Sequence, residues 1–287
     1  MPAARKQEET QKIQRRGDLE LVDFVVAVAR ETGEFLLSRF GNLQGLEIDY
    51  KGRRHIVTSV DTEAERMIVE RIEKEFPNDG ILAEEKAKKR TDSERVWIID
   101  PLDGTVNYAH GLPIFCVSIA VAYRWKIDVG VVYAPCLDEM FYSKRGEGAF
   151  LNGKRISVSK KDDFSKALLA TGFAYIRSET EHNNLSNFNR VNLKVEGVRR
   201  LGAAAVDLCY VAAGKFDGFW ELFLAPWDVA AGAVIVEEAG GMVTDIAGGD
   251  DYLFGSNIVA TNGRIHDELR KNLDPFPQEG RYKYKLS

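Results

Sequence analysis

Two aspartates stand three residues apart in Asp100-Pro101-Leu102-Asp103, directly after the apolar run Val96–Ile99. Asp favours the first position of a β-turn and Pro the second, and such a turn brings its first and fourth Cα atoms within about 7 Å. We therefore expect the two carboxylates to converge at the end of a buried strand. Two negative charges that close repel each other strongly unless a cation lies between them. The tetrapeptide predicts a cation-binding site rather than a turn and helix cap alone.

The next two residues, Gly104 and Thr105, add a flexible backbone step and a hydroxyl group. Backbone amides at such a step can face an anion, as they do at helix starts and in backbone nests. A candidate anion site therefore adjoins the candidate cation site.

Two further acidic residues are weak candidates when each is taken alone. Asp228 stands at the N-cap position of an Ala- and Val-rich helix, where most aspartates only cap. Glu84 follows a short apolar strand, where most glutamates are only solvated. Together with the aspartate pair they offer hard oxygen ligands alone, which suit Mg²⁺ or Mn²⁺ better than zinc.

The histidines, serines and cysteines show no pattern of covalent catalysis, which favours catalysis by water that a metal ion activates. No two histidines have the spacing of metal ligands, and no Ser or Cys is flanked by a recognisable base. An odd number of cysteines in apolar surroundings indicates buried thiols in a reducing cytoplasm. These residues are His55, His110, His182 and His266, and Cys116, Cys136 and Cys209.

The overall composition excludes several classes of protein. The chain has 287 residues, of which 45% are hydrophobic and 29% charged, as in a globular protein with a sizeable core. Its formal net charge of −5 gives no reason to expect direct nucleic-acid binding. No apolar run approaches the roughly 18 residues that span a bilayer. The N-terminus also lacks the apolar core of a signal peptide.

Helical and strand periodicities divide the chain into four parts. Residues 1–18 predict a flexible N-terminal tail, and residues 274–287 a C-terminal one. Residues 19–160 predict an α+β subdomain that carries most of the metal ligands. Residues 161–273 alternate between the two periodicities and predict an α/β subdomain that completes the site.

Within the two subdomains the pattern predicts individual elements, including a hairpin at Asn152-Gly153 and an exposed loop over Lys86–Arg95. The expected helices are Leu19–Phe40, Thr62–Phe76 with Asp61 as its cap, Glu181–Asn192, Ala203–Ala213, Val229–Ala239 and Ile265–Leu273. The expected strands are Ile81–Ala83, Val96–Ile99, Phe115–Tyr123, Asp128–Tyr133, Glu139–Ser143, Ala149–Leu151, Ile156–Val158, Leu168–Thr171 and Ile258–Thr261.

Two long stretches of the sequence closely resemble the signatures of the inositol monophosphatase family. The similarity covers roughly residues 19 to 273 and has one mild departure, Ala83, where the family often has Gly. The first signature is Trp97–Tyr108, continuing through His110–Pro113 to Val117–Ala120. The second is Trp227–Gly232 with Glu237–Gly241 behind it, and Val57–Asp61 and Ala83–Glu85 precede both in the family's order.

This resemblance implies a fold and an activity. The implied fold is a layered αβαβα sandwich of the sugar-phosphatase type. The implied activity is Mg²⁺-dependent hydrolysis of a phosphate monoester, foremost myo-inositol monophosphate to inositol and phosphate. Two or three Mg²⁺ ions per site, with Mn²⁺ as an alternative, inhibition by lithium, and a cytoplasmic homodimer follow from the family. The partner is then a small phosphorylated polyol or sugar, without a membrane.

The resemblance also implies roles for individual residues. Thr105, hydrogen-bonded to Asp61, orients the attacking water, and Glu84 also holds a weaker third ion through water. Glu221 reads substrate hydroxyls, and Lys51 belongs to a loop over the site. The implied metal ligands are Glu84, Asp100, the Leu102 carbonyl, Asp103 and Asp228. The implied substrate contacts are Asp103, Gly104, Thr105, Gly202, Ala204, Glu221 and Asp228.

Other functions remain open at this point. Related families with the same Asp-Pro-Leu-Asp-Gly-Thr core cleave fructose 1,6-bisphosphate, histidinol phosphate or 3′-phosphoadenosine 5′-phosphate. The continuation Val106–Pro113 is more similar to the inositol monophosphatase branch. A different class of function is binding, because some bacterial members also act in ribosomal RNA transcription complexes. A phosphate-release assay tests the enzyme, and a pull-down against transcription factors tests the binding role.

Overall fold

A computed structural model describes residues 2–41, 48–50 and 56–276, so Lys51, His55 and the tail beyond Phe276 lie outside the described residues. Within these ranges the chain forms seven α-helices and fifteen strands. The helices are α1 Pro2–Arg39, α2 Ser59–Glu75, α3 Thr105–Ala109, α4 Leu185–Asn192, α5 Ala204–Ala212, α6 Pro226–Glu238 and α7 His266–Lys271. The strands are β1 Ile48–Tyr50, β2 Ile56–Thr58, β3 Gly80–Ala83, β4 Lys88–Lys89, β5 Arg95–Asp103, β6 Cys116–Tyr123, β7 Lys126–Ala134, β8 Glu139–Lys144, β9 Gly148–Leu151, β10 Lys154–Arg155, β11 Leu168–Thr171, β12 Gly197–Arg199, β13 Gly218–Leu222, β14 Met242–Thr244 and β15 Asn257–Thr261.

Two large sheets organise these strands. The first has eight strands in the order β10-β9-β8-β7-β6-β5-β3-β4, and all its pairs are antiparallel except β3–β5. The second has five strands in the order β12-β11-β13-β15-β14, of which the first three run parallel. A separate antiparallel ribbon joins β1 to β2. The first sheet ends at Arg155 and the second begins at Leu168, on either side of residue 160.

Alternating side chains along β5 divide the first sheet's contacts between two cores. Trp97 and Ile99 pack with α1 and α2, whereas Val96 and Ile98 pack with α5 and α6. Successive residues of a strand point to opposite faces, so a strand covered on both faces is apolar throughout. The first sheet is therefore covered by a helical layer on each face.

The second sheet repeats this arrangement from the other side of α5 and α6. In β13, Phe219 joins the core around α5 and α6, while Trp220 joins a third core with Val191 of α4 and Leu269 of α7. The layers therefore run α1/α2, first sheet, α5/α6, second sheet, α4/α7. This order confirms the predicted αβαβα sandwich.

Both edges of the first sheet are short and basic. The edge strand β4 consists of Lys88 and Lys89, and the opposite edge strand β10 consists of Lys154 and Arg155, all exposed. Two-residue edges with charged side chains discourage pairing with another chain. The turn before β10 has positive φ at Asn152 and Gly153, which confirms the predicted hairpin.

Several predicted boundaries were wrong. Helix α1 begins at Pro2 rather than near Leu19, so the predicted N-terminal tail forms most of its first half. The residues before Gly17 are mainly strong helix formers, which explains the extension. The cap of α2 is Thr58, and Asp61 bonds back to it from the first turn. Strand β10 ends at Arg155, so Ile156–Val158 is not a strand. No helix of the described ranges is long and apolar enough to cross a membrane.

Candidate active site

The end of strand β5 carries the aspartate pair. Asp100 and Asp103 belong to the strand, whose pairing with β6 breaks register between them, so the predicted β-turn was wrong. Pro101 lies in this irregular step because proline has no N–H to donate to the ladder. The Leu102 amide donates to Asp100 Oδ1 at 3.0 Å, and the Ala205 amide donates to Asp103 Oδ2 at 2.8 Å. Both carboxylates are almost fully buried.

Two more carboxylates reach the same place from other elements. Asp228 lies in the first turn of α6, where its Oδ2 accepts a bond from the Ala225 amide at 2.6 Å. Glu84 follows β3, and its amide donates to the Ile99 carbonyl at 3.2 Å, beside the end of β5. Both residues are partly exposed. The four acids therefore come from three separate segments of the chain, of which only that of Asp228 is distant in sequence from the others.

The four carboxylates act on one another electrostatically. Burial raises the pKa of Asp100 well above its usual range, and the charges of Glu84, Asp103 and Asp228 raise it further. Burial likewise raises the pKa of Asp103 to about 7, although backbone N–H groups oppose the rise. Burial and the charges of Glu84 and Asp103 raise the pKa of Asp228. Such a cluster stays ionised at neutral pH only with positive charge among its members.

The donor set fits a hard divalent cation. The candidate ligands are carboxylate oxygens and the buried Leu102 carbonyl, the oxygen ligands that Mg²⁺ and Mn²⁺ prefer. Within residues 2–41, 48–50 and 56–276, no three His, Cys, Asp or Glu side chains form a ready-made metal cage. The fit of a cation therefore rests on the chemistry of the donor atoms and on the mutual repulsion of the carboxylates.

A hydrogen-bonded pair, Asp61 and Thr105, borders the cluster. Thr105 Oγ1 lies 2.9 Å from Asp61 Oδ1 and 3.0 Å from the Leu102 carbonyl oxygen, and it has one proton for the two acceptors. Asp61 Oδ2 also accepts the amide of Thr58 at 2.8 Å and its hydroxyl at 2.5 Å. Burial raises the pKa of Asp61, while these donors oppose the rise. When the proton goes to Asp61, the Thr105 lone pairs can accept from a water molecule.

The backbone at Gly104 is shaped for glycine alone. Its φ of +94° is left-handed, and a Cβ there would lie 2.9 Å from the Ile114 carbonyl oxygen. Thr105 is the first residue of α3, so its amide has no acceptor within that helix. Both amides therefore lie where the chain changes direction between β5 and α3, beside the carboxylates, at the place predicted for phosphate contacts.

Residues 201–205 close the site from the side of α5. Asn107 Nδ2 donates to the carbonyls of Leu201 at 2.8 Å and Ile114 at 2.7 Å, which ties this loop to α3. Gly202 has a φ of +90°, and a Cβ there would meet Asn107. Ala204 opens α5, next to the amide that holds Asp103. Gly202 and Ala204 thus lie beside the carboxylate cluster.

Glu221 lies in β13 and is buried, not a solvated surface acid. Its carboxyl group packs on Gly172, where any Cβ would overlap it. Burial raises the pKa of Glu221 to about 8, although the Arg200 guanidinium opposes the rise and the Asp103 charge adds to it. The Asp103 charge acts on Glu221, and the Glu221 charge in turn raises the pKa of Asp228, so Glu221 lies near the carboxylate cluster on the side of the second sheet.

Sequence reasoning missed two buried acids beside the site. Asp207, in the first turn of α5, has an Oδ1 atom without a hydrogen-bond partner in the described structure. Burial raises its pKa, and the charge of Glu221 raises it further. Glu65 of α2 is the other. A charged residue inside the apolar run Ala203–Ala213 was the available signal for Asp207, whereas Glu65 looks like an ordinary helix-surface residue.

Comparisons of the sequence with known proteins agree with this geometry. A model described as the inositol monophosphatase family matches residues 18–275. The chain is 41% identical to an inositol-1-monophosphatase of Mesorhizobium japonicum, over 88% of this chain and 95% of that one. It is 40% identical to a fructose-1,6-bisphosphatase/inositol-1-monophosphatase of Thermotoga maritima, over 91% and 98%. It is 42% identical to the Nus factor SuhB of Vibrio cholerae, over 88% and 96%.

A comparison of structures gives the same group. The crystal structure of the extragenic suppressor protein suhB from Bartonella henselae superposes with a TM-score of 0.85 at 40% identity, covering 90% of this chain and all of that one. An inositol monophosphatase from Anabaena superposes with a TM-score of 0.80 at 42% identity, covering 89% and 96%. The structural similarity therefore covers about nine tenths of this chain.

Proposed function

The chain belongs to the inositol monophosphatase family, and from that premise we propose that it hydrolyses phosphate monoesters, foremost myo-inositol monophosphate. The observation that carries the proposal is the cluster of Glu84, Asp100, Asp103 and Asp228, of which the two β5 aspartates are buried, beside the Asp61–Thr105 pair. Such a cluster is suited to cations and, through them, to a phosphate group. The family depends on metal ions, and Mg²⁺ is the ion that we propose here.

Glu84, Asp100, Asp103, Asp228 and the Leu102 carbonyl would hold two or three Mg²⁺ ions, with Mn²⁺ as a substitute. Bound ions of this kind acidify water and neutralise charge on the phosphate and on the leaving oxygen. The amides of Gly104 and Thr105 bind phosphate oxygens, because both belong to the step at the start of α3.

The Asp61–Thr105 pair orients the attacking water. Asp61 accepts a hydrogen bond from the Thr105 hydroxyl, so a lone pair of Thr105 Oγ1 faces the water and accepts a hydrogen bond from it. The remaining lone pair of that water then points away from Thr105, toward the phosphorus. Positioning of this kind, with the surrounding electrostatics, supplies most of the rate enhancement that the protein contributes.

The alcohol half of the substrate lies against the second sheet. Glu221, with the backbone at Gly202 and Ala204, offers acceptors and donors to ring hydroxyls. The burial of Glu221 makes an unmatched hydroxyl or carboxyl costly, which favours polyols over plain alkyl phosphates. This is the argument for a small phosphorylated polyol or sugar as the substrate.

The direct experiment is phosphate release with Mg²⁺ across a substrate panel. Inositol 1-phosphate is expected to give the highest kcat/KM among inositol 1-phosphate, fructose 1,6-bisphosphate, histidinol phosphate and 3′-phosphoadenosine 5′-phosphate. EDTA is expected to abolish the activity. A higher kcat/KM for another ester would move the assignment to that substrate, and full activity in EDTA would refute the metal-dependent mechanism.

Three further properties belong to the same proposal. We propose that millimolar Li⁺ inhibits turnover at limiting Mg²⁺, that the chain forms a homodimer, and that it works in the cytoplasm. Light scattering that gave a stable 32 kDa species at micromolar concentration would refute the dimer. An unchanged rate in lithium would place the enzyme outside the lithium-sensitive branch.

A second candidate function is a binding role in transcription complexes. The observation in its favour is the 42% identity to the Nus factor SuhB of Vibrio cholerae. A pull-down with purified transcription factors, using wild type and an Asp100→Asn variant in parallel, tests it. Binding that survives in the inactive variant would establish a role independent of hydrolysis.

A further inference from the structure

Helix α2 carries a buried carboxylate, that of Glu65, which accepts hydrogen bonds from the backbone of a neighbouring loop. Glu65 Oε2 accepts a hydrogen bond from the Glu85 amide at 2.7 Å. Glu65 Oε1 accepts bonds from the Lys86 and Ala87 amides, each at 2.9 Å. Three successive backbone N–H groups make an anion-binding concavity, and here a side chain of the same protein occupies it.

The loop that Glu65 binds consists of residues 84–87 and begins with Glu84. Its two ends are joined by the Ala83 amide, which donates to the Ala87 carbonyl at 2.9 Å. The Glu84 amide is bonded to the Ile99 carbonyl of β5 at 3.2 Å. The backbone of Glu84 is thus held by β5 on one side and, through the next three amides, by Glu65 of α2 on the other.

We propose that Glu65 is a positioning residue that holds Glu84 in place for metal binding. The inference rests on the proposed function, because it takes Glu84 as a metal ligand. Before a cation binds, the charges of Asp100, Asp103 and Asp228 repel Glu84. The three bonds to Glu65 oppose the outward movement of the loop that this repulsion favours.

The position of Glu65 on α2 gives the helix a double role. Asp61 and Glu65 are four residues apart, so they lie on the same face, one turn from each other. Asp61 holds the Thr105 hydroxyl, and Glu65 holds the loop of Glu84. A single rigid helix therefore sets the placement of the water-orienting residue relative to a metal ligand from another segment.

The most informative variant is Glu65→Gln. The carboxamide oxygen can replace Oε1 and keep the bonds from Lys86 and Ala87, but the NH₂ group then faces the Glu85 amide, donor against donor. This variant therefore releases the Glu85 amide, the one nearest to Glu84, and keeps the other two hydrogen bonds. Glu65→Asp, which keeps the charge and withdraws it by one methylene, is the second variant. Glu70→Gln is the matched control, since Glu70 lies exposed on the same helix.

Metal affinity of the resting protein, measured by isothermal titration calorimetry with Mg²⁺ and no substrate, is the primary readout. Glu65→Gln is expected to weaken binding about tenfold or more, as loss of an orienting partner typically does. Glu65→Asp is expected to weaken it less, and Glu70→Gln to leave it unchanged. Hydrogen exchange of residues 84–87 should accelerate in Glu65→Gln, while peptides from β6 and β7 should exchange as in wild type.

Kinetics separate positioning from a merely structural role. With saturating Mg²⁺, the kcat and substrate KM of Glu65→Gln should return to near the wild-type values, while the half-saturating Mg²⁺ concentration stays raised. A lowered kcat that excess Mg²⁺ does not restore, with unchanged Mg²⁺ affinity in calorimetry, would overturn the proposal. Wild-type protein that binds no Mg²⁺, or binds it and hydrolyses no phosphate ester, would refute the proposed function instead, and the two failures are therefore distinguishable.

Discussion

The two sheets contribute to the site in different ways. The first sheet, with α2 and α3, supplies Asp100, Asp103, Glu84 and the Asp61–Thr105 pair, which are charges and a hydroxyl held within a few residues of strand ends. The second sheet, with the loop before α5, supplies Glu221 and backbone positions near Gly202. We propose that the first set binds the phosphate group and its cations, which every phosphate monoester requires, and that the second set binds the alcohol.

In this proposal, one set of residues carries out the reaction and the other selects the substrate. Changes in the first set should impair every substrate alike, because they remove interactions with the group that reacts. Changes in the second set should impair only substrates with hydroxyl groups to recognise. Asp228 is the link between them, since it lies in α6, between the sheets, and acts electrostatically on the carboxylates of β5.

The largest effect is expected for Asp100→Asn. The variant removes a charge from the centre of the cluster, so turnover should fall by about three orders of magnitude or more on inositol 1-phosphate and on p-nitrophenyl phosphate alike. Phosphate release with both substrates measures it. A loss confined to inositol 1-phosphate would break the proposed division between the two sheets.

Thr105→Val is expected to follow. It keeps the shape of the side chain but removes the hydroxyl that bonds to Asp61, so kcat should fall about 100-fold on both esters. Thr105→Ser, which keeps the hydroxyl, is the matched control and should retain most of the activity. Near-normal activity in Thr105→Val with a loss in Thr105→Ser would mean that packing of the methyl group, and not the hydroxyl, is what matters at this position.

Local motifs explain why the first set could be predicted and much of the second could not. Asp100 to Thr105 are contiguous, and their residue types are unusual enough to indicate cations and anions together. Strand β13, which holds Glu221, was not predicted as an element at all, and Glu221 entered only by resemblance. Its burial depends on Gly172, which is 49 residues away in sequence. The role of Glu65 could not be predicted either, because its hydrogen-bond partners are backbone amides, which every residue type but proline offers.

The same limit explains the error at β5. The Asp-Pro pair has the local signature of a turn, but pairing with β6 keeps the segment extended on both sides of Pro101. Tertiary pairing overrode a local preference there. Helices with strong periodicity, such as Thr62–Phe76, needed only small boundary corrections, because their apolar face is a property of the segment itself.

A tenfold effect, restricted to one substrate, is expected for Glu221→Gln. The catalytic efficiency toward inositol 1-phosphate should fall about tenfold, from a buried bond of about 1–3 kcal/mol, while that toward p-nitrophenyl phosphate changes little. The pKa of about 8 adds a pH signature. Below it the neutral carboxyl resembles the amide, and above it the carboxylate accepts from two hydroxyls, so the loss should grow as pH rises through 8. Equal losses on both esters would place Glu221 in the phosphate machinery.

The smallest effect concerns stability, and it lies within the second sheet alone. Thr244 Oγ1 donates to the Asp245 carbonyl, so it accepts from His266 Nε2–H at 2.9 Å. In a neutral ring with its proton on Nε2, Nδ1 accepts a hydrogen bond from Thr261 Oγ1, which lies 3.0 Å away. Together the two bonds join β14 and β15 to α7, and the donation from Thr261 to Nδ1 is lost when the ring takes up a proton.

Burial lowers the pKa of His266 to about 4, with the Arg270 charge adding to the effect. The folded-state pKa thus lies below the ordinary value of about 6.5 in the unfolded chain. The contribution to stability is fully present above pH 6.5 and is lost as the pH falls toward 4.

Between pH 7 and pH 5 the Tm of wild type should therefore fall by a few degrees more than that of His266→Gln, measured by scanning calorimetry. His182→Gln, at an exposed histidine, should follow the wild type. Hydrogen exchange at pH 5 should accelerate in β14, β15 and α7 before β5 and β6, and acceleration beginning in β5 would contradict this assignment of the acid response to the second sheet.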